Sequence, residues 1–256
     1  MAAKYFTSFD GAKIHYHSTL QDKNQWLVFL HGFGGDLSAW KEERAYFTKL
    51  GVSTIAMDLR GHGLSERSNN KEFYKLENCS KDVASLMENE GITNAIIIGH
   101  CFGGMVSMYF QAQHPKYSKG LVLVDTSFKP PFFSFNPVER ILLKNLVELL
   151  LKFVPNLKIA GSRNFDQFKG TKDLDSRRIL SDILHTSLHS YLLISEYLID
   201  LNAEKLLDQI TVPTLVIEGA SDTIFPLPIA RHLKDRIKNS KLQIIPRANH
   251  ILVINN

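Results

Sequence analysis

The chain has 256 residues, 44% hydrophobic and 22% charged, with a formal charge of +4, enough for one sizeable core in an ordinary soluble globular protein. Its basic residues are scattered among acidic ones, which argues against a nucleic-acid partner, and it has no run of about 18 apolar residues to span a membrane. The opening MAAKYFTSFDGAKIHYHS has no apolar run behind Lys4 and does not read as a secretory signal; two cysteines in unlike contexts, Cys79 and Cys101, argue against a disulfide framework and for a reducing cytoplasm.

Taken in chain order, Asp10-Gly11 between alternating segments signals a hairpin that would add antiparallel strands at one sheet edge. From Trp26 onward, short and nearly continuous apolar runs recur at 25–30, 52–58, 95–100, 120–125, 214–219 and 242–246. These are the expected strands of a mainly parallel sheet buried on both faces. Helical spacing over 75–89 and 227–238 fills the gaps between them, so the fold class is α/β.

One stretch breaks the alternation. From about Ser127 to Leu207 there is a Pro and Phe segment, SFKPPFFSFNP, and then only aliphatic helical sequence. An insertion of this length exceeds what a crossover needs. Residues 127–207 are therefore expected to form a helical cap over a core made of 1–126 and 208–256. Among the phenylalanines that open it, Phe132, Phe133 and Phe135 are expected to wall an apolar substrate pocket. The aliphatic helices that follow would also suit a dimer contact or a lipid surface, leaving monomer and homodimer both open.

The chemistry is concentrated at strand ends. The run AIIIGH leads into Cys101 and then into FGGMVSMYFQAQH, a strand, sharp turn and helix with Gly99, Gly103 and Gly104 around the thiol. That is the context of a nucleophile elbow, whose glycines permit a strained turn and close helix packing. Standing at a helix N-terminus, Cys101 would have its thiolate favoured by unpaired N–H groups. LVIEGASDTIFP presents Asp222 just beyond a strand, and IIPRANHIL presents His250 beyond the last one. Asp125, ending GLVLVD, is a rival acid, but the spacing G-x-x-D-x-x-x-P favours Asp222. LVFLHGFGGD supplies a His-Gly-x-Gly turn in which the backbone N–H of Phe33 would join that of Phe102 as an oxyanion hole, with His31 and Gly32 shaping the turn. His62 and His100 lie in the same motifs and are expected to be structural.

With nucleophile, acid and histidine in this order, and DLRGHGLS at 58–65, the sequence resembles the α/β-hydrolase superfamily in its single-domain, helical-capped branch of esterases, lactonases, C–C hydrolases and haloperoxidase-like proteins. The usual nucleophile there is serine; dienelactone hydrolases and polyhydroxyalkanoate synthases carry G-x-C-x-G as this chain does. The resemblance implies an α/β-hydrolase fold and cleavage of a small apolar ester or related acyl bond by a Cys101-His250-Asp222 triad through an acyl-enzyme, with no metal or organic cofactor. Acyl transfer or thioester cleavage through the same intermediate is the alternative enzyme class. A silent hydrophobic-ligand-binding protein on the same scaffold is the non-enzymatic one.

Overall fold

In the computed structural model, which describes residues 3–130, 136–159 and 163–255, the apolar runs pair into one eight-stranded sheet. Its strands are β1 (Lys4–Thr7), β2 (Lys13–Thr19), β3 (Trp26–Leu30), β4 (Ser53–Met57), β5 (Ala95–His100), β6 (Ser118–Val124), β7 (Thr214–Gly219) and β8 (Ser240–Ile245). They lie in the order β1-β2-β4-β3-β5-β6-β7-β8. From β4 to β8 all neighbours are parallel, while β1 and β2 add the antiparallel edge that the Asp10-Gly11 signal predicts.

Every residue of β3 and β4 is buried, because helices cover both faces. In chain order the helices are α1 (Lys41–Lys49), α2 (Leu76–Asn89), α3 (Phe102–Gln113), α4 (Pro137–Leu151), α5 (Ser176–Thr186), α6 (Leu188–Ile199), α7 (Glu204–Leu207), α8 (Leu227–Arg236) and α9 (Leu252–Asn255). Val28 and Ile55 belong to one core cluster with Val83, Val106 and Leu233; Phe29 and Ala56 belong to the other with Trp40, Phe47 and Val253. Each such aliphatic side chain contributes about 1.5–3 kcal/mol by leaving water. No helix among the described residues is long and apolar enough to cross a membrane.

Helices α4 to α7 all fall between β6 and β7, the stretch where the sequence loses its strand periodicity. Helix α4 begins where Asn136 accepts from Val138 and Glu139 N–H, Glu139 returns a bond to Asn136 N, and Pro137 needs no partner. Later in that aliphatic helical sequence the chain forms two helices, α5 and α6, with a break between them. Ser187 sits at φ +77° between them and its hydroxyl accepts the Ser190 N–H at 3.0 Å, capping α6. Nothing in the apolar spacing marks that break. A single turn, α9, follows His250.

The chain leaves β3 toward β4 on one side and leaves β5 toward β6 on the other. This reversal opens a crevice beyond the carboxyl ends of β3 and β5, the place where open α/β sheets hold ligands.

Candidate active site

Cys101 occupies that crevice at φ +50° and ψ −112°, a left-handed conformation that a non-glycine residue adopts only under constraint. The constraint is visible on every side. Its N–H donates to Val124 O at 3.0 Å and its carbonyl accepts the Thr126 hydroxyl at 2.6 Å, pinning the turn to β6. A Cβ on Gly103 would stand 2.2 Å from Leu30 O, and one on Gly104 would stand 2.5 Å from Thr126 Oγ1. Only glycine lets α3 start this close to β3 and β6.

The loops after β7 and β8 bring two more groups to the same place. Asp222 accepts N–H bonds from Ile224 at 2.6 Å and Phe225 at 2.8 Å through Oδ1, leaving Oδ2 for His250 Nδ1 at 2.7 Å. The Cys101 thiol is a neighbour of the ring, and both line one cavity. Burial opposes charge on His250, but the negative charge of Cys101 and the Asp222 contact outweigh it and hold the imidazole well above its ordinary 6.5. Burial likewise opposes ionisation of Asp222, yet His250 and two backbone N–H groups hold it below 3.8. Cys79 has no such setting; it is 1% exposed within α2, and burial pushes its thiol up.

Asp125, the rival acid, does not reach the histidine; its Oδ1 accepts from Gly219 N at 2.8 Å. With Glu218 and Asp222 it forms a buried trio whose oxygens lie within 4.8 Å of one another. Burial, reinforced by the neighbouring carboxylates, pushes Glu218 up to about 10, and burial pushes Asp125 up to about 7. The trio could hold a cation only by giving up those protons.

His31 donates from Nδ1 to Gly32 O at 2.8 Å and accepts from Leu59 N at 2.9 Å through Nε2. Its burial favours the neutral ring, and the turn carrying Phe33 is thereby fixed. Among the described residues the N–H groups of Phe33 and Phe102 have no protein acceptor, as expected for a loop amide and the first amide of a helix. His100 donates to His250 O at 2.8 Å and His62 to Arg60 O at 2.9 Å; burial lowers each to about 3, so both are neutral and structural.

A cavity of about 270 Å³ opens above Cys101 and His250, lined by Phe33, Met105, Leu174, Ile179, Tyr191 and Phe225 among others. Tyr191 stacks on Phe33 with ring centroids 4.1 Å apart. Phe132, Phe133 and Phe135 lie outside the described residues, and Phe128 belongs to the core, stacked on His232. The described part of the wall includes residues of α5, α6 and the loop before α5. The sequence did not single out Leu174, Arg178 or Tyr191, since aliphatic helices give no sign of which of their residues will face the strand-end loops.

Comparison with known proteins agrees with this architecture. The chain is 27% identical over 228 residues to the AB hydrolase superfamily protein YisY of Bacillus subtilis (strain 168), covering 87% of this chain and 83% of that one. It is 25% identical over 162 residues to epoxide hydrolase 3 of Xenopus tropicalis, 62% of this chain but only 44% of the relative's length. A thermophilic esterase from Thermogutta terrifontis superposes with a TM-score of 0.77 at 20% identity, over 100% of this chain and 93% of the esterase. The alpha/beta hydrolase fold model matches residues 25–256. That span takes in every strand from β3 to β8 and each loop that meets in the crevice, and the chain belongs to the alpha/beta hydrolase fold family.

Proposed function

We propose that this protein hydrolyses small carboxylic esters or lactones through a thioester on Cys101. The observation that carries the reading is the pairing of His250 Nδ1 with Asp222 Oδ2 at 2.7 Å beside Cys101 on its strained turn, at the floor of an apolar cavity. With the thiol proton already on His250, Sγ attacks the carbonyl carbon. The N–H groups of Phe33 and Phe102 receive the oxyanion. The imidazolium then protonates the departing alkoxide, leaving acyl thioester and alcohol. Water, giving a proton to His250, attacks the thioester carbonyl; the acid departs and His250 keeps the proton it took from water. In this reading the helices between β6 and β7 act as a cap that limits the acyl group to short or medium length.

Sulfur chemistry favours acyl substrates over epoxides. A thiolate opening an epoxide would leave a thioether, which has no carbonyl for water to attack, so turnover would stop after one event. A thioester has that carbonyl.

The test is a series of p-nitrophenyl esters of graded acyl length with the natural protein and with Cys101→Ala. Acid-quenched protein should carry one acyl group on the Cys101 peptide, and Cys101→Ala should lose both adduct and turnover. Full turnover in Cys101→Ala without any adduct would overturn the reading, and acyl products formed only with added amine or thiol acceptors would replace hydrolysis by transfer.

A further inference from the structure

The loop that leads into α5 reaches down to the two loops bearing Asp222 and His250. Asp173, in that loop, is 5% exposed; its carbonyl accepts from the Arg178 guanidinium, but its carboxylate forms no ion pair among the described residues. Its carboxylate is instead consumed by the catalytic loops. Oδ1 accepts the backbone N–H of His250 at 2.8 Å. Oδ2 accepts the N–H of Thr223 at 2.9 Å and the Thr223 hydroxyl at 2.7 Å. Thr223 immediately follows Asp222, so one carboxylate bridges the residue that bears the imidazole and the neighbour of the residue that orients it.

Neighbouring contacts follow the same line. Thr171 O accepts from Asn249 Nδ2 at 2.9 Å and from Asn255 Nδ2 at 3.1 Å, while Gly170 N donates to Asn255 Oδ1 at 2.8 Å. Residues 170–173 thus run as a strap along the segment on either side of His250. With His100 donating to His250 O at 2.8 Å, the histidine is held at its amide, its carbonyl and its ring. Hydrogen bonds to a carboxylate are roughly twice as strong as neutral ones, and Asp173 makes three of them.

We propose that Asp173 is a positioning residue for the Cys101-His250-Asp222 triad: it sets the separation of the two loops and makes docking of the segment between β6 and β7 a condition of activity. The inference rests on the triad reading above. Asp173 touches neither sulfur nor the imidazole ring in the contacts described; it acts through the backbone. Losing it lets the His250 loop drift relative to Cys101, and a displacement near 1 Å costs about 10²-fold in rate.

The test compares Asp173→Ala, Asp173→Asn and Thr223→Val with His250→Ala. Asp173→Ala should speed hydrogen exchange at the His250 and Thr223 amides and move the pH profile of Cys101 alkylation toward that of His250→Ala. It should lower kcat by about 10²-fold with KM within about threefold, the signature of lost transition-state geometry rather than lost binding. Asp173→Asn keeps one accepting oxygen and turns an NH₂ toward the other donors, so its kcat should fall between wild type and Asp173→Ala. Thr223→Val, missing only the hydroxyl bond, should lie closest to wild type. Protected amides, or a wild-type kcat in folded Asp173→Ala, would overturn the proposal. Should Asp173→Ala not fold, wild-type kcat and alkylation profiles in both milder variants would overturn it equally. Failure of the triad itself has a different signature, an unchanged alkylation profile and turnover in His250→Ala.

Discussion

His15 and His250 each pair through Nδ1 with a buried aspartate at 2.7 Å, Asp58 in one case and Asp222 in the other. Both aspartates also accept two backbone N–H groups: Leu37 and Leu64 for Asp58, Ile224 and Phe225 for Asp222. Both are pressed upward by burial and brought below 3.8 by their histidines and backbone donors. The difference is at the second ring nitrogen. His15 Nε2 is buried with no partner among the described residues, and its ring packs against Tyr5 and His17. His250 instead neighbours a thiol on a strained turn beside a cavity. A His–Asp pair is thus a general way to tie loops together; the nucleophile and the space above it turn one of the two into a candidate catalytic base.

Substitutions at the two pairs should separate these roles most sharply. His250→Ala should lower kcat by about 10³-fold or more, while His15→Ala leaves it within about threefold. Asp222→Asn should also cost about 10³-fold, because an amide cannot hold the imidazolium, whereas Asp125→Asn should leave turnover nearly unchanged. Steady-state kinetics on one ester decides it. Equal losses at His15 and His250 would dissolve the contrast.

Stability should show the reverse order. Asp58→Ala strands the Leu37 and Leu64 N–H groups and His15, and a broken buried network of this kind costs about 3 kcal/mol. Urea unfolding measures it, with kcat of the folded fraction unchanged. The sign with pH follows from Asp58 being held below 3.8. Its stabilising contribution is complete above the unfolded value and fades as pH falls through the lower folded one, so wild type and variant should converge in acid. A gap that widened in acid would contradict the assignment.

The two pairs also differ in how far the sequence revealed them. Cys101, Asp222 and His250 were legible because each stands just past an apolar run, among glycines or before a proline, where strand-end chemistry has a local signature. The six parallel strands were legible for a related reason: burial on both faces forces unbroken apolar runs. His15–Asp58 joins residues 43 apart, and Asp173–His250 residues 77 apart, and nothing local to His15 or Asp173 marks the pairing. Such contacts exist only once the sheet brings distant loops together. The boundary at Ser187 was hidden differently, since serine is tolerated inside helices and only its φ of +77° betrays the break.

The smallest expected effect is a shift in one titration, and it probes what sets the His250 pair apart. Burial alone would lower His250; the charge on Cys101 is the largest influence raising it. A serine hydroxyl brings no such charge, so in Cys101→Ser the ring should release its proton at lower pH, as ring-proton NMR can follow. Catalysis then changes sign. In the natural protein the ring already holds the proton that the leaving group needs, and kcat/KM should fall as pH rises through the raised value. In the serine variant the ring must first be neutral to accept the hydroxyl proton, so kcat/KM should climb as pH rises through the lowered value. An alkaline limb becomes an acidic one. If the ring titrates identically in both proteins, the thiol contributes no charge to the pair, and the two His–Asp pairs differ less than their surroundings suggest.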